Sequence, residues 1–381
     1  MAKSLTAKDD PLRIAFVVHD YNRFGGHSRY VAELATRFSQ HHEVHVFSNT
    51  VHAEEGNRIH FHKVPALRTT ALATILTFAI PSFFQVSRDF DIVHIQGFCG
   101  PRGNVVTTHM CNEAWRRSIQ RLDGGVSLRE LITCVITSAL ERRLYGRAHN
   151  CQVIAISHRV ARDVAGLYGC RAPMRTIYHG VDLDVFSPQT RRRYRCEVRQ
   201  KLGIAEDETA FLFVGNLRKG ARQCIQALAR LKIGTLLVVS PSHNDALREI
   251  AERSNCGNRV KWLGFAQQVE RYYAAADALL LPTPHDAFGL VVTEAMACGL
   301  PVIVSREAGA SELIHHGVNG LLLGDLNDES LLAELMQSLQ QDPTRAARLG
   351  CEARKTMEAF PWDAVAEQTM QVYRDAAKRG F

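Results

Sequence analysis

Two carboxylates stand eight positions apart in HDAFGLVVTEAMACGLPV, residues 285–302. Asp286 precedes an apolar Phe-Gly-Leu turn, and Glu294 lies in the stretch behind it. The preceding ALLLPT reads as a buried strand, LVVTEAMACG as a helix ending at Gly299, and PVIVS as the next strand. Phe288, Gly289 and Leu290 then offer backbone N–H groups at a helix start, where the free donors and the helix dipole favour an anion. As a helix cap and a dipole partner the two acids would contribute ~1 kcal/mol each. Capping accounts for Asp286 but not for a glutamate among alanines on a helix packed between two strands.

Cations recur at a similar place. In LFVGNLRKGARQCIQAL, Arg218 and Lys219 fall between a strand and a helix. Such a pair suits a diphosphate, which arginine can hold bidentately; solvated surface charge is the competing reading. After the first strand, HDYNRFGGHSRYVAELA puts Gly25 and Gly26 just ahead of a helix. There the backbone can approach an anion closely, or simply turn tightly. His109 ends the strand VVTTH, as a ligand contact or as a satisfied buried polar group. His41, His42, His315 and His316 read as surface residues; Trp262 and Phe265 in WLGF follow a strand and could lie near a nucleobase, with core packing as the favoured role.

The elements that must position these residues follow a regular grammar. Short β-branched runs (RIAFVVH, EVHVFS, DIVHIQ, NVVTTH, QVIAIS) alternate with helical stretches, and the pattern resumes after a break with AFLFVGN, TLLVVS, NRVKWLG, ALLLPT and LPVIVS. This is the signature of βαβ units with buried parallel strands. At 381 residues the α/β chain is too long for one core, and two doubly wound Rossmann-like domains are expected, with a linker near Val181 to Gln189. Ligands of such domains bind where the C-terminal strand ends face a cleft.

Charge is unevenly spread. Residues 1–205 hold 28 Lys and Arg against 17 Asp and Glu, whereas residues 206–381 hold 18 against 22. A basic first half suits an anionic membrane surface or acidic substrate, although TRRRYRCEVRQK, residues 190–201, equally reads as a solvated helix face. Basic residues without interleaved aromatics argue against nucleic acid. The ten cysteines lack metal-ligand spacing and read as reduced, mostly buried thiols. The polar start MAKSLTAKDDPLR lacks a signal-peptide core, so a cytoplasmic protein is expected. The most apolar run, ALATILTFAIPSFFQV, has the length of a buried helix and is interrupted by Pro81.

Taken together, the Asp286-x7-Glu294 spacing, AMACGLPVIVS, EAGASELIHHGVNGLLL, FGGHSRYVAELA, VVTTH, YHGVD with Phe186, LFVGNLRKG and FPWDAVAEQTMQVYRD resemble the retaining glycosyltransferases of family 4, which have the GT-B fold. The resemblance covers nearly the whole chain. It implies an N-terminal Rossmann-like acceptor-binding domain over 1–180, a C-terminal Rossmann-like nucleotide-sugar-binding domain over 181–360, and a helix over 361–381 that crosses back to the first. It also implies retaining transfer from a nucleotide-sugar, a UDP- or GDP-sugar, to a glycan, lipid-linked or small-molecule acceptor, without metal or other cofactor. Peripheral attachment to the cytoplasmic face of a membrane would accompany cell-surface glycan or glycolipid synthesis.

By position, the resemblance gives Glu294 the donor ribose and Asp286 the donor sugar, with the backbone of Phe288, Gly289 and Leu290 near sugar and phosphates. Arg218 and Lys219 would hold the diphosphate, Gly25 and Gly26 would approach donor and acceptor, and His109 would contact the reacting sugar. Departures include Asp286 where glutamate is commoner, and Asn216 where arginine is common. Rival readings are a non-catalytic GT-B glycan- or nucleotide-binding protein, and a nucleotide-sugar epimerase or phosphorylase of the same fold. A nicotinamide oxidoreductase is disfavoured because no G-x-G-x-x-G follows either first strand.

Overall fold

The protein is described by a computed structural model over residues 11–52, 58–100, 103–119, 127–148, 151–326 and 328–378. The polar start, residues 1–10, and the last three residues of the expected crossing segment lie outside the described residues. The first half opens with β1 (Arg13–Val17), β2 (Asp20–Tyr21), α1 (Gly26–Phe38), β3 (Glu43–Ser48), β4 (Thr50–Val51) and β5 (Ile59–Lys63). It continues through α2 (Ala71–Gln85), β6 (Ile92–Gln96), β7 (Val105–Thr108), α3 (Asn112–Ile119), α4 (Leu128–Gly146), β8 (Gln152–Ala155), α5 (His158–Tyr168) and β9 (Met174–Thr176).

The second half comprises α6 (Pro188–Leu202), β10 (Ala210–Val214), α7 (Ala221–Arg230), β11 (Thr235–Val239), α8 (Asp245–Arg253), β12 (Val260–Gly264) and α9 (Glu270–Ala275). Then come β13 (Ala278–Leu281), α10 (Leu290–Ala297), β14 (Val302–Ser305), β15 (Leu321–Leu323), α11 (Glu329–Gln341), α12 (Pro343–Met357) and α13 (Trp362–Ala377). One parallel sheet has the order β5-β3-β1-β6-β7-β8-β9, the other β12-β11-β10-β13-β14-β15. All ten strands expected from the sequence form. The additional β5, β9 and β15 close sheet edges; β5 (IHFHK) alternates polar histidines and lacks the apolar run that marks a central strand.

The order in which strands are added reverses at one point in each sheet, β1/β6 in the first and β10/β13 in the second, while all strands stay parallel. In doubly wound sheets the crevice opens there, and the loops after β1, β10 and β13 carry the residues singled out above.

The halves are held together behind that crevice. The chain returns through Pro361, which bridges Val181, into α13, whose Trp362, Val365, Val372 and Tyr373 join the apolar core of the first half with Ile14, Phe16 and Tyr30. Gly180 permits this return, because a Cβ there would lie 2.8 Å from the Trp362 backbone. Glu312, from the second half, accepts hydrogen bonds from the backbone N–H groups of His158 and Arg159 at 2.9 and 2.7 Å and so satisfies the start of α5.

Three expectations require correction. Pro188 and Gln189 belong to the first turn of α6, so the linker ends at its N-cap Ser187. The charged run is neither a free basic face nor wholly solvated: Arg191, Arg195 and Arg199, four residues apart, converge on Asp277 and the carbonyls that end α9. The apolar run forms α2 and continues through Pro81, yet only Phe78 and Ser82 of its residues are buried. It is a surface helix. Among the described residues no helix is long and apolar enough to cross a membrane.

The return of α13 rests partly on a buried polar pair. His94, fully buried and held neutral with a pKa pushed down to about 3 by that burial, meets the Tyr373 hydroxyl at 2.7 Å and Thr107 at 2.6 Å. Tyr373→Phe strips one ring nitrogen of its partner and is expected to cost about 1–3 kcal/mol, read as a lowered midpoint in urea unfolding.

Candidate functional site

A cleft of about 710 Å³ opens between the two switch points, lined by residues from both halves. On the first-half wall, Gly25 is the N-cap of α1, with the Asn22 side chain accepting from the N–H groups of Phe24 and Gly25 at 2.9 and 3.0 Å. Neither Gly25 nor Gly26 has a positive φ, and a Cβ on either would meet only ordinary contacts. The tight-turn reading is therefore unnecessary; both glycines leave the cleft wall bare of side chain.

On the opposite wall, β10 passes into the turn Leu217–Lys219, a single 3-10 segment in which consecutive side chains point about 120° apart. Lys219 faces the cleft, and its Nζ lies 2.7 Å from Asp286 Oδ2. Arg218 corrects the expectation drawn for it: it is absent from the cleft lining and bonds Glu130 of α4. The turn can exist only with glycine behind it. Gly220 has φ +108°, and a Cβ there would sit 2.2 Å from the Pro282 carbonyl oxygen.

Asp286 is buried, and its other oxygen accepts from the Phe288 N–H at 3.3 Å. It caps its own turn, not the helix. The N-cap of α10 is Gly289, and no side chain caps it, so the helix start of Gly289 and Leu290, with Phe288 beside it, is open to the cleft as an anion seat.

Glu294 is buried one turn further along. Tyr273 donates to its Oε2 at 2.9 Å, and Arg29 of α1 reaches across the cleft to Oε1 at 2.8 Å. Burial raises its carboxyl pKa, opposed by the Arg29 charge and the hydrogen bonds from Tyr273 and Arg29. The dipole-partner role fails, since this carboxylate is committed to partners from two halves.

His109 also lines the cleft. Its Nε2 is 2.8 Å from Gln96 Oε1, its Nδ1 lacks a partner, and burial, assisted by His179, holds its pKa well below the ordinary value. It is a neutral imidazole able to exchange one hydrogen bond with a sugar hydroxyl. His179, in YHGVD, is buried more fully than His109, stacks on Tyr30 with ring centroids 5.2 Å apart, and has both nitrogens unpartnered.

The structure thus gathers Gly25, Gly26, His109, Lys219, Asp286, Phe288, Gly289, Leu290 and Glu294 around one cleft and leaves out Arg218. Sequence reasoning missed Arg29, Tyr273 and His179. Arg29 was accessible in part, lying one helical turn after Gly25 and Gly26 and so on the face they present. Phe265 is not core: it is exposed at the cleft and meets Phe24 of the other half, ring centroids 6.4 Å apart. Among the described residues no group of three or more His, Cys, Asp or Glu could hold a metal ion.

The family model described as Glycosyltransferase Family 4 matches residues 24–185, and that described as Glycosyl transferases group 1 matches residues 195–356. The chain belongs to glycosyltransferase family 4. This family 4 chain is 34% identical over 241 residues to a D-inositol 3-phosphate glycosyltransferase of Xylanimonas cellulosilytica, a match covering 60% of this chain and 57% of the relative. It thus spans less than two thirds of that relative's length.

Its fold is GT-B. WaaG, a glycosyltransferase involved in lipopolysaccharide biosynthesis, superposes with a TM-score of 0.80 at 21% identity, covering 94% of this chain and 99% of that one. Anabaena HepE in complex with UDP and glucose superposes at 0.74 with 21% identity, covering 96% and 100%.

The bridging ion pair of the family 4 chain gives a pH-dependent expectation. Arg29→Met leaves a buried carboxylate with only Tyr273, so the folded-state pKa of Glu294 rises further above its unfolded value. Below the unfolded value Glu294 is protonated in both states and the added charge penalty is absent; it grows with rising pH and levels off above the folded pKa. The gap to wild type is expected to reach about 3–5 kcal/mol near neutrality and to narrow toward acid, as measured by urea unfolding across pH.

Proposed function

We propose that this protein is a retaining glycosyltransferase, moving a sugar from a nucleotide-sugar, a UDP- or GDP-sugar, to a glycan, lipid-linked or small-molecule acceptor. The observation that carries this reading is the juxtaposition, across one cleft, of Lys219 paired with Asp286, the uncapped start of α10, and buried Glu294. The complex of HepE with UDP and glucose supports a uridine donor, and the name of the Xylanimonas relative supports a small phosphorylated acceptor.

In this reading Glu294 accepts the ribose hydroxyls, the diphosphate lies between Lys219 and the N–H groups at Gly289 and Leu290, and Asp286 orients the donor sugar. Phe265, at the cleft edge beside Gly264 and Ala266, lies on the base side. The anomeric C–O bond to the diphosphate breaks and negative charge builds on the leaving oxygen. A preorganised lysine and helix start stabilise that charge without reorganising as it forms, so the chain's own residues meet it without a metal ion. The acceptor hydroxyl attacks from the same face as the departing diphosphate, its proton passing to the leaving phosphate oxygen, which retains the anomeric configuration. Neutral His109 holds a hydroxyl of the reacting sugar.

A calorimetric screen of UDP, GDP, ADP and their sugar conjugates tests the donor half. One nucleotide is expected to bind wild type and to lose at least tenfold in affinity with Glu294→Ala, in a variant that is less stable, because Tyr273 and Arg29 lose their acceptor, but still unfolds cooperatively above the assay temperature. Equal affinity in a folded variant would overturn the ribose role. Lys219→Met is expected to lower kcat about 10²- to 10³-fold with a smaller change in KM, measured as nucleoside diphosphate release.

A further inference from the structure

Three cations line the cleft among the described residues, Lys219, Arg23 and Arg29. On the second-half wall the diphosphate seat is short of positive charge, because Lys219 is paired with Asp286 and Arg218 is turned to Glu130. The uncapped start of α10 contributes about half a positive charge, less than a diphosphate brings. A further cation has to come from the first half.

Arg29 is placed to supply it. The starts of α1 and α10 face each other, since a Cβ on Gly26 would lie 3.8 Å from Leu290 Cδ1. Arg29 stands one turn into α1 as Glu294 stands one turn into α10, and its Nη1 donates to Glu294 Oε1 at 2.8 Å. From Glu294 back to the helix start at Leu290 is about 6 Å along α10, a span that rotation of a side chain as long as arginine covers. The guanidinium is lightly held: among the described residues its one hydrogen bond is to Glu294, Glu33 Oε1 lies 4.0 Å from Nε, and the Phe186 ring centroid is 5.5 Å away. Arg23 is less well placed, its side chain 46% exposed against 16% for Arg29, so solvent screens its charge more strongly.

The ligand itself carries what would move Arg29. In the transfer reading, on which this inference rests, the donor ribose brings its hydroxyls to Glu294, whose Oε2 is engaged by Tyr273 and whose Oε1 is engaged by Arg29. The diphosphate of the same ligand lies one turn away and accepts a guanidinium bidentately. We propose that Arg29 is a donor-binding residue that passes from Glu294 to the diphosphate when the ribose claims the carboxylate. The two halves then stay tied through the ligand, and the leaving oxygen gains a cation from the first-half wall.

Calorimetry with the nucleoside and the nucleoside diphosphate of the base that the screen selects tests this. Arg29→Met alone strips Glu294 of its cation, so Glu294→Gln is compared with Glu294→Gln plus Arg29→Met, which leaves no unpaired carboxylate at that position while Glu33 keeps Arg37 at 2.7 Å. With an amide at position 294 Arg29 has no carboxylate there to hold, and its removal reads only its contact with the ligand. The double variant is expected to bind the diphosphate at least tenfold more weakly than Glu294→Gln and to bind the nucleoside equally well. Arg29→Lys in the same background keeps the charge but not the planar fork and is expected to give an intermediate diphosphate affinity. Equal diphosphate affinity in the folded variants, or an equal loss for nucleoside and diphosphate, would overturn the Arg29 assignment and leave the transfer reading standing. Wild type that binds no nucleotide would remove the transfer reading, and this inference with it.

Discussion

A carboxylate cannot be taken out of water cheaply, and the burial of Glu294 organises much of this molecule. The strand-helix-strand unit β13-α10-β14 places the side chain between two sheets, where its charge requires partners. Tyr273 supplies one from α9 in the same half, and Arg29 supplies the other from α1 in the opposite half. One ionised group thereby ties the rims of the cleft together at the point where the site must also receive a ligand. A hydroxyl-bearing ligand that bonds Glu294 has to share it with Arg29 or displace it, so ligand binding and the relative placement of the halves are physically linked.

The attachments behind the cleft are of a different kind. Glu312 satisfies the start of α5, Ser157 donates to the Ala287 carbonyl at 2.8 Å, and α13 carries the end of the chain into the core of the first half. These contacts combine apolar burial with satisfied backbone groups and do not depend on any ligand. The Asp286 loop is caught between them: its backbone bonds Glu307 and Gly309, while its carboxylate faces Lys219. A loop pinned from behind and charged in front holds its geometry with little freedom left to lose, which is what electrostatic preorganisation requires.

Family 4 membership rests on many loose motifs in a fixed order, but the chemistry rests on few atoms. Where arginine is common in the family this chain has Asn216, whose side chain accepts from the Arg218 N–H at 3.0 Å and helps shape the tight turn. The turn presents Lys219 and turns Arg218 toward Glu130. The basic pair is therefore divided, one member serving the cleft and the other joining the halves.

The sequence by itself determined the strand alternation, the two sheets and the loops that bear the site, because buried parallel strands and helix boundaries are local patterns written within a dozen residues. It also marked Asp286, Lys219 and Glu294, whose positions after strands are features of chain order. Tertiary structure alone decided the rest. Arg29 and Glu294 lie 265 positions apart and meet only when the halves face each other. Arg218 and Lys219 are adjacent in sequence yet serve different partners, Glu130 and Asp286, because a 3-10 turn rotates neighbouring side chains about 120° apart. The apolar run of α2 reads as core because hydropathy records what a residue prefers, whereas exposure depends on which other elements arrive to cover it, and among the described residues none covers its Leu76, Ile80 and Phe84.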